Sequence, residues 1–292
     1  MTARERAARR QGWLMLGPAL LVLALLTVYP GLRVLWLSLH DEIPTFGISR
    51  FAGLRHYAFL ATDARFLSAA LTTGIFTVAS VALEVSLGVL VAVALAAQRR
   101  GRRAAFSLLL LAWAMPAVVT AKMFEWLYHP AAGLVNVILG ALLGVRPNWL
   151  GDPVLALPAV VLADVWRTMP FVAVLAYARL LGIPPELYEA AEVDGAGRLA
   201  TFARVTLPLL RPVLLIAVLF RTLDALRAFD IMFVLTGGGP ASATETLTIY
   251  AYRTLFQMVE FGYGSAVGVV VFALVMAVAW VYLRLLRVEE RA

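Results

Sequence analysis

Apolar residues in this chain come in long uninterrupted blocks, separated by short polar stretches, rather than in the alternating or one-faced patterns of soluble strands and helices. Crossing a hydrocarbon layer of about 30 Å takes about 20 helical residues. Six blocks reach that length, near 12–39, 66–97, 104–127, 154–181, 208–236 and 264–287. Pro18, Pro116, Pro170 and Pro212 fall inside them, and neighbouring helices can re-satisfy the carbonyls that a proline frees. The pattern predicts an all-α membrane protein with six transmembrane helices. One further apolar run, GLVNVILGALLG (133–144), is too short to span and predicts a short interfacial helix. No repeat of fixed period, low-complexity tract or separate soluble domain is visible.

Composition agrees. Of 292 residues, 62% are hydrophobic and 15% charged, against roughly 25% charged in a soluble domain. The net charge of +7 is carried by arginine, because Lys122 is the single lysine. So basic a chain raises nucleic acid as a partner, but the arginines cluster at block ends, where positive charge sets membrane orientation. Arg4, Arg6, Arg9 and Arg10 precede the first block, Arg99, Arg100, Arg102 and Arg103 separate the second from the third, and Arg284, Arg287 and Arg291 accompany the end of the last. The loops at 40–65, 128–153 and 237–263 are sparser in positive charge. The expected topology has a cytoplasmic tail at 1–11, a transmembrane domain over 12–287, a cytoplasmic tail at 288–292, and cytoplasmic loops at 98–103 and 182–207. The first apolar run is too long for the h-region of a secretory signal, which takes about 7–15 residues. There is no cysteine, which excludes disulfides, thiolate metal sites and a cysteine nucleophile.

Catalytic motifs are missing. A phosphate-binding P-loop needs G-x-x-x-x-G-K-[ST], and the single lysine lies in TAKMF. GAGRLA (195–200) fits a loose dinucleotide pattern but lacks the strand that must precede it. His40, His56 and His129 are scattered without metal-ligand spacing, and GYGSAVG (262–268) has Tyr263 where a nucleophile elbow needs glycine. No cofactor site and no enzymatic activity are expected in this chain.

The stretch EAAEVDGAGRLATFARVTLPLLRP (189–212) lies between two spans. Pro184 and Pro185 suit a helix start, Glu186 favours the N-terminal dipole, and Gly195 can take the left-handed conformation that stops a helix. Glu186, Glu189 and Glu192 recur at three-residue steps and share one broad face. Such a helix is either a solvated loop element or a small piece that inserts into a partner's groove. The stretch resembles the EAA motif of the permeases of binding-protein-dependent ABC importers: E-A-A, three residues, glycine, nine residues, then an I-x-L-P ending. Glu189, Ala190, Ala191, Gly195, Leu207 and Pro208 fill those places, Asp194 and Ala196 flank the glycine suitably, and Val205 stands where isoleucine is usual. FRTLDALRAFDIMFVLTGGGPASATETLTIYAY (220–252) and VWRTMPF (165–171) resemble carbohydrate-uptake members of that family, most of all the first permease subunit of trehalose/maltose-type importers.

The resemblance implies the type I ABC importer permease fold in a bacterial cytoplasmic (inner) membrane, with a cytoplasmic coupling helix at about 184–196. It implies a heterodimer with a second permease subunit, two ATP-binding subunits that hold ATP and Mg, an extracytoplasmic sugar-binding protein, and a sugar as cargo. Permeases for glycerol phosphate or another polar solute are the alternatives within the family. An ion-coupled secondary transporter is the rival outside it, and would need an intrachain repeat or a broken-helix ion site.

Ionisable residues inside spans are costly and usually face the bundle interior. Arg221, Asp224, Arg227 and Asp230 recur at three-residue steps in the fifth block. They form either an internal salt-bridge ladder or, towards Asp230, the wall of a polar path, which would suit neutral sugars. Asp164 and Arg167 are spaced to pair, and Glu84, Lys122 and Glu125 complete the predicted buried charge. Phe229, Phe233, Trp166, Trp126 and Tyr128 are aromatics that either pack or stack on sugar rings. TGGGP (236–240) predicts an unhelical, mobile turn, and the resemblance turns Gly237, Gly238, Gly239 and Pro240 towards the binding protein.

Overall fold

The computed structural model describes residues 13, 15–98 and 100–289, the side chains of 285–289 excepted. The predicted tail 1–11, the arginines at 4, 6, 9, 10, 99 and 291, and the end of the predicted tail 288–292 lie outside the described residues. The elements are α1 (Met15–Leu37), β1 (His40–Ile43), β2 (Ile48–Phe51), α2 (Arg55–Leu60), α3 (Ala64–Ala97), α4 (Arg102–Ala114), α5 (Ala117–Leu127), α6 (Leu134–Leu143), α7 (Pro153–Leu181), α8 (Glu186–Val193), α9 (Arg198–Leu226), α10 (Asp230–Leu235), α11 (Leu247–Tyr252) and α12 (Phe261–Glu289). They fall into two compact units, one of 1–63 with 250–272 and one of 64–249 with 273–292.

The first unit contains a feature that the hydropathy pattern hides. β1 and β2 form an antiparallel hairpin with His40 opposite Phe51 and Ile43 opposite Ile48, turned through Gly47 at φ +63°. Asp41 is buried at its base and accepts from Arg50 Nε at 2.8 Å, with Arg55 at 3.4 Å and His56 at 3.3 Å. The hydroxyls of Tyr250 and Tyr263 both donate to the Asp63 carboxylate at 2.5 Å. Gly262 is required here, because a Cβ would collide with the His40 carbonyl. α1 buries none of its most apolar window within the chain, so that surface is left for lipid or another subunit.

In the second unit α3 and α7 cross closely. α7 brings Ala156, Ala159, Ala163, Ala173 and Ala176 to the core, all fully buried. α3 answers with Ala69, Thr73, Phe76, Ser80, Glu84, Gly88 and Ala92, a stripe at three- and four-residue steps. Small residues let helix backbones approach where lipid gives no hydrophobic drive. α9 packs on both helices, and α10 on α5 and α7.

Two predicted spans change shape. The block 104–127 is not one helix: α4 and α5 meet at a bend of 101°. Pro116 drives its neighbour Met115 out of the helical region, to φ −72° and ψ 132°. The fifth span is α9 over 198–226, not 208–236. It begins earlier because five residues of π-helix, Phe202–Thr206, precede Pro208. The widened turn includes Arg204, whose carbonyl a proline ring at 208 would otherwise strike. It ends earlier because the chain leaves the helix at Arg227, and the Ala228 carbonyl accepts from the Thr248 hydroxyl at 2.7 Å instead. The short helix predicted at 133–144 is present as α6.

Gly88 tests the α3–α7 crossing. A Cβ there would meet Val172 at 2.8 Å, whereas one at Gly74 on the same helix would meet nothing within 4 Å. Gly88→Val is expected to lower stability by about 1–3 kcal/mol, read as the thermal unfolding midpoint in detergent, and Gly74→Val is expected to leave it unchanged.

Candidate functional site

Six of the nine charged residues predicted inside the spans converge on one cavity of about 380 Å³ in the second unit. α7 supplies Asp164, Arg167 and Thr168, the end of α9 supplies Arg221 and Asp224, and the turn into α10 supplies Arg227, Phe229 and Asp230. Trp113 and Ala117, on either side of the α4–α5 bend, close another wall.

The floor is a buried ion network. Arg221 Nε donates to Glu84 Oε2 at 2.6 Å and Arg221 Nη2 to Glu84 Oε1 at 2.9 Å, a bidentate pair between α9 and α3. Arg221 Nη2 also lies 3.3 Å from Asp164 Oδ2 on α7. Arg167 Nη2 donates to Asp164 Oδ1 at 3.0 Å. The Thr168 hydroxyl lies 2.7 Å from both Glu84 Oε1 and the Asp164 carbonyl. Glu84, Asp164, Thr168 and Arg221 are all buried. A charge taken out of water is tolerated when paired and fully hydrogen-bonded, and the fork of a guanidinium matches a carboxylate in two bonds at once. Arg167 Nε is buried without a partner among the described residues.

Towards the opening the charges become accessible. Asp224 Oδ1 accepts from Arg227 Nη2 at 2.6 Å, while Asp224 Oδ2 lies 3.5 Å from Arg221 Nη1. Asp224 is 49% and Arg227 66% exposed at the side chain. Asp230 is exposed in the first turn of α10. The predicted four-charge ladder is therefore not one helical row. Arg221 and Asp224 stand on α9, Arg227 caps it, and Asp230 opens the next helix, since the helix breaks at 227–229.

The aromatics divide. Phe229 lines the cavity and stacks on Phe233 with ring centroids 4.9 Å apart. Trp126 and Trp166 are not among its lining residues: Trp126 is 75% exposed at the end of α5, and Trp166 meets Phe124 edge-on at 5.8 Å. Tyr128 is buried with its hydroxyl on the Ala159 carbonyl at 3.2 Å, which is packing. Trp113 escaped the sequence reading because only the bend at Pro116 carries it to the wall. Lys122 and Glu125 pair at 2.6 Å but are 58% and 45% exposed, so they are not part of the buried charge.

Two further predicted segments have definite shapes. α8 runs from Pro185 as N-cap to a stop at Gly195, φ +75°. Ala196 N donates to Ala191 O at 2.9 Å and Gly195 N to Glu192 O at 3.0 Å, the paired bonds of a Schellman ending. Glu189, Ala190, Asp194 and Gly195 are exposed, as are the apolar Leu187, Val193 and Leu199. Leu207 and Pro208 stand in the first turn of α9 beyond the π-turn. The loop at Gly237, Gly238, Gly239 and Pro240 is compact. Thr236 and Thr244 share a hydroxyl bond at 2.7 Å and the Thr244 hydroxyl lies 2.8 Å from the Gly239 carbonyl. Beyond it, Glu245 is held by Arg65 through two bonds of 2.8 Å.

Comparison with known proteins gives a consistent picture. Residues 84–287 match the family described as binding-protein-dependent transport system inner membrane component. The chain is 41% identical over 274 residues to the trehalose/maltose transport system permease protein MalF of Thermococcus litoralis, covering 94% of this chain and 92% of that one. It is 37% identical over 280 residues to the sulfoquinovosyl glycerol transport system permease protein SmoG of Agrobacterium fabrum, covering 95% and 90%. Its fold is that of a chain in a bacterial ABC transporter involved in the import of the acidic polysaccharide alginate, with TM-score 0.84, 22% identity, and 97% and 98% of the two chains covered.

The ion network makes a direct prediction. Glu84→Ala removes the bidentate partner of the buried Arg221 and leaves it only the longer contacts to Asp164 and Asp224, at 3.3 and 3.5 Å, and is expected to cost about 3–5 kcal/mol of stability. Removing both charges, as Glu84→Leu with Arg221→Met, is expected to recover most of that loss. Asp224→Ala breaks the exposed pair with Arg227 and a long 3.5 Å contact with Arg221, and is expected to cost about 1 kcal/mol. Unfolding midpoints of the purified variants in detergent check all three.

Proposed function

The chain belongs to the family of binding-protein-dependent transport system inner membrane components, and we propose that it is the transmembrane permease subunit of an ATP-driven importer that carries a di- or oligosaccharide of the trehalose/maltose kind inward. It is a multi-pass protein of the cytoplasmic membrane, and in this reading both termini are cytoplasmic. Its work is mechanical. ATP and Mg bind to two separate ATP-binding subunits, an extracytoplasmic protein delivers the sugar, and a second permease chain completes the path.

The observation that carries this reading is the polar wall of the cavity. Asp224, Arg227 and Asp230 are exposed on an otherwise apolar chain, and charged groups that faced lipid would be costly. A water-filled path shared with a second permease chain removes that cost. Carboxylates and guanidinium groups bond sugar hydroxyls in pairs, and Phe229 offers an aromatic face beside them.

Coupling to ATP is assigned to the helix at about 184–196, with Leu207 and Pro208 following in α9. Glu189, Ala190, Ala191, Asp194, Gly195 and Ala196 would enter a cleft of the ATP-binding subunit, with the exposed Val193 and Leu199 adding apolar contact. α9 starts at Arg198, directly after this segment, and Arg221 near its far end is tied to α3 and α7. A push at 189–196 therefore reaches three helices as one body. A shift between inward- and outward-facing states needs partners that bind the two states with different free energy, which nucleotide and binding protein supply. Gly237 to Pro240 would contact the binding protein and help displace the sugar, and Arg167 would support the cavity from behind.

Co-purification tests the assignment. The chain, expressed with its genomic neighbours and drawn from mild detergent by a tag, is expected to bring an ATP-binding subunit with it. Glu189→Lys and Gly195→Asp, checked for normal membrane insertion, are expected to lose that subunit or lower sugar-stimulated ATP hydrolysis by about tenfold. A chain that emerges alone, or variants that stay fully coupled, would remove the coupling role from this segment.

A further inference from the structure

Three aspartates and three arginines line the cavity, but Glu84, which stands beneath the floor on α3, adds a fourth carboxylate, and one acid is left without a partner among the described residues. Arg221 is matched by Glu84, Arg167 by Asp164 and Arg227 by Asp224. Each arginine has an acid within 3.0 Å. Asp230 is left over. It lines the same cavity, is exposed, and has no hydrogen-bond or ion-pair partner among the described residues. Its neighbour Phe229 stacks on Phe233 at 4.9 Å, so a carboxylate with both oxygens unengaged stands beside an aromatic pair.

We propose that Asp230 is the specificity-determining residue of the path, accepting hydroxyls of a neutral sugar and turning away sugars that carry a carboxylate, sulfonate or phosphate. This rests on the sugar-import reading and deepens it. A carboxylate pairs naturally with two hydroxyl donors, and a neutral sugar presents them without adding charge. An anionic sugar would bring like charge within a few ångströms of Asp230, where two unit charges of the same sign repel. The nearby guanidinium groups offer little relief, because the charge of each is already met by an acid at close range. Arg227 has exposed N–H groups, yet its charge is neutralised by Asp224 at 2.6 Å.

The test uses the assembled importer, permease pair with ATP-binding subunits, in lipid nanodiscs. The binding protein is left out so that its own selectivity is not read. Saturation-transfer NMR at millimolar concentration compares maltose and trehalose with sulfoquinovosyl glycerol, an anionic probe. The wild-type complex is expected to prefer the neutral sugars by about tenfold or more. Asp230→Asn is expected to remove most of that preference by admitting the anionic probe, with neutral-sugar affinity changed only a few-fold. Asp230→Glu keeps the charge and is expected to keep the preference, which separates charge from packing. A preference that survives Asp230→Asn, or is lost equally in Asp230→Glu, would overturn the proposal while leaving sugar import standing. A wild-type complex that binds none of the three probes would count against the sugar reading itself and take this proposal with it.

Discussion

Everything in the second unit is arranged around one buried guanidinium. Arg221 sits among apolar helices and is held by Glu84 from α3, at 2.6 and 2.9 Å, and by Asp164 from α7, at 3.3 Å. Apolar helices in lipid have little to choose between one register and another, since neighbouring side chains are as greasy as the acyl chains. The ion network makes the choice. Sliding any one helix by a turn of about 5.4 Å would leave a charge in an apolar setting with no partner. Three segments separated by 80 and 57 residues along the chain, at 84, 164 and 221, are thereby fixed against one another.

The same network explains why the cavity wall has a deep and a shallow half. Glu84 and Asp164 absorb Arg221, so the floor is sealed. The helix then breaks at 227–229, where the Thr248 hydroxyl takes the place of a helical N–H on the Ala228 carbonyl. That break turns Arg227, Phe229 and Asp230 to the opening instead of continuing them around α9. On the opposite wall Pro116 performs a similar service, bending α4 against α5 so that Trp113 and Ala117 face the same space. Structural order and accessible chemistry are neighbours here because each break in a helix both ends the packed region and exposes side chains.

What the sequence shows and what it hides follow from range. The apolar blocks give α3, α7 and α12 nearly to the residue, because length and hydropathy alone decide whether a segment can span. The shape of α8 is legible too, since Pro185 and Gly195 act locally at its two ends. The hairpin at His40–Phe51 is not: its strands have four residues each and carry charge. The end of α9 is not, because no glycine or proline marks it and the residues that stabilise the break are Thr246 and Thr248, some 20 positions away. Three-residue spacing correctly pairs Asp164 with Arg167 and Asp224 with Arg227. It cannot reveal that Glu84 is the chief partner of Arg221, 137 residues apart. Lys122 and Glu125 look buried by position in an apolar block, yet the bend at Pro116 leaves their face outward.

In the proposed function, this chain moves sugar by a mechanical step powered by separate ATP-binding subunits. Reconstitution tests it most directly, with the permease pair and ATP-binding subunits in proteoliposomes, ATP on the face of α8 and the sugar-loaded binding protein on the other. Uptake of labelled maltose or trehalose is expected to require both ATP and the binding protein and to stop when either is withheld. Uptake that proceeds without ATP and follows an imposed ion gradient would contradict the proposed function.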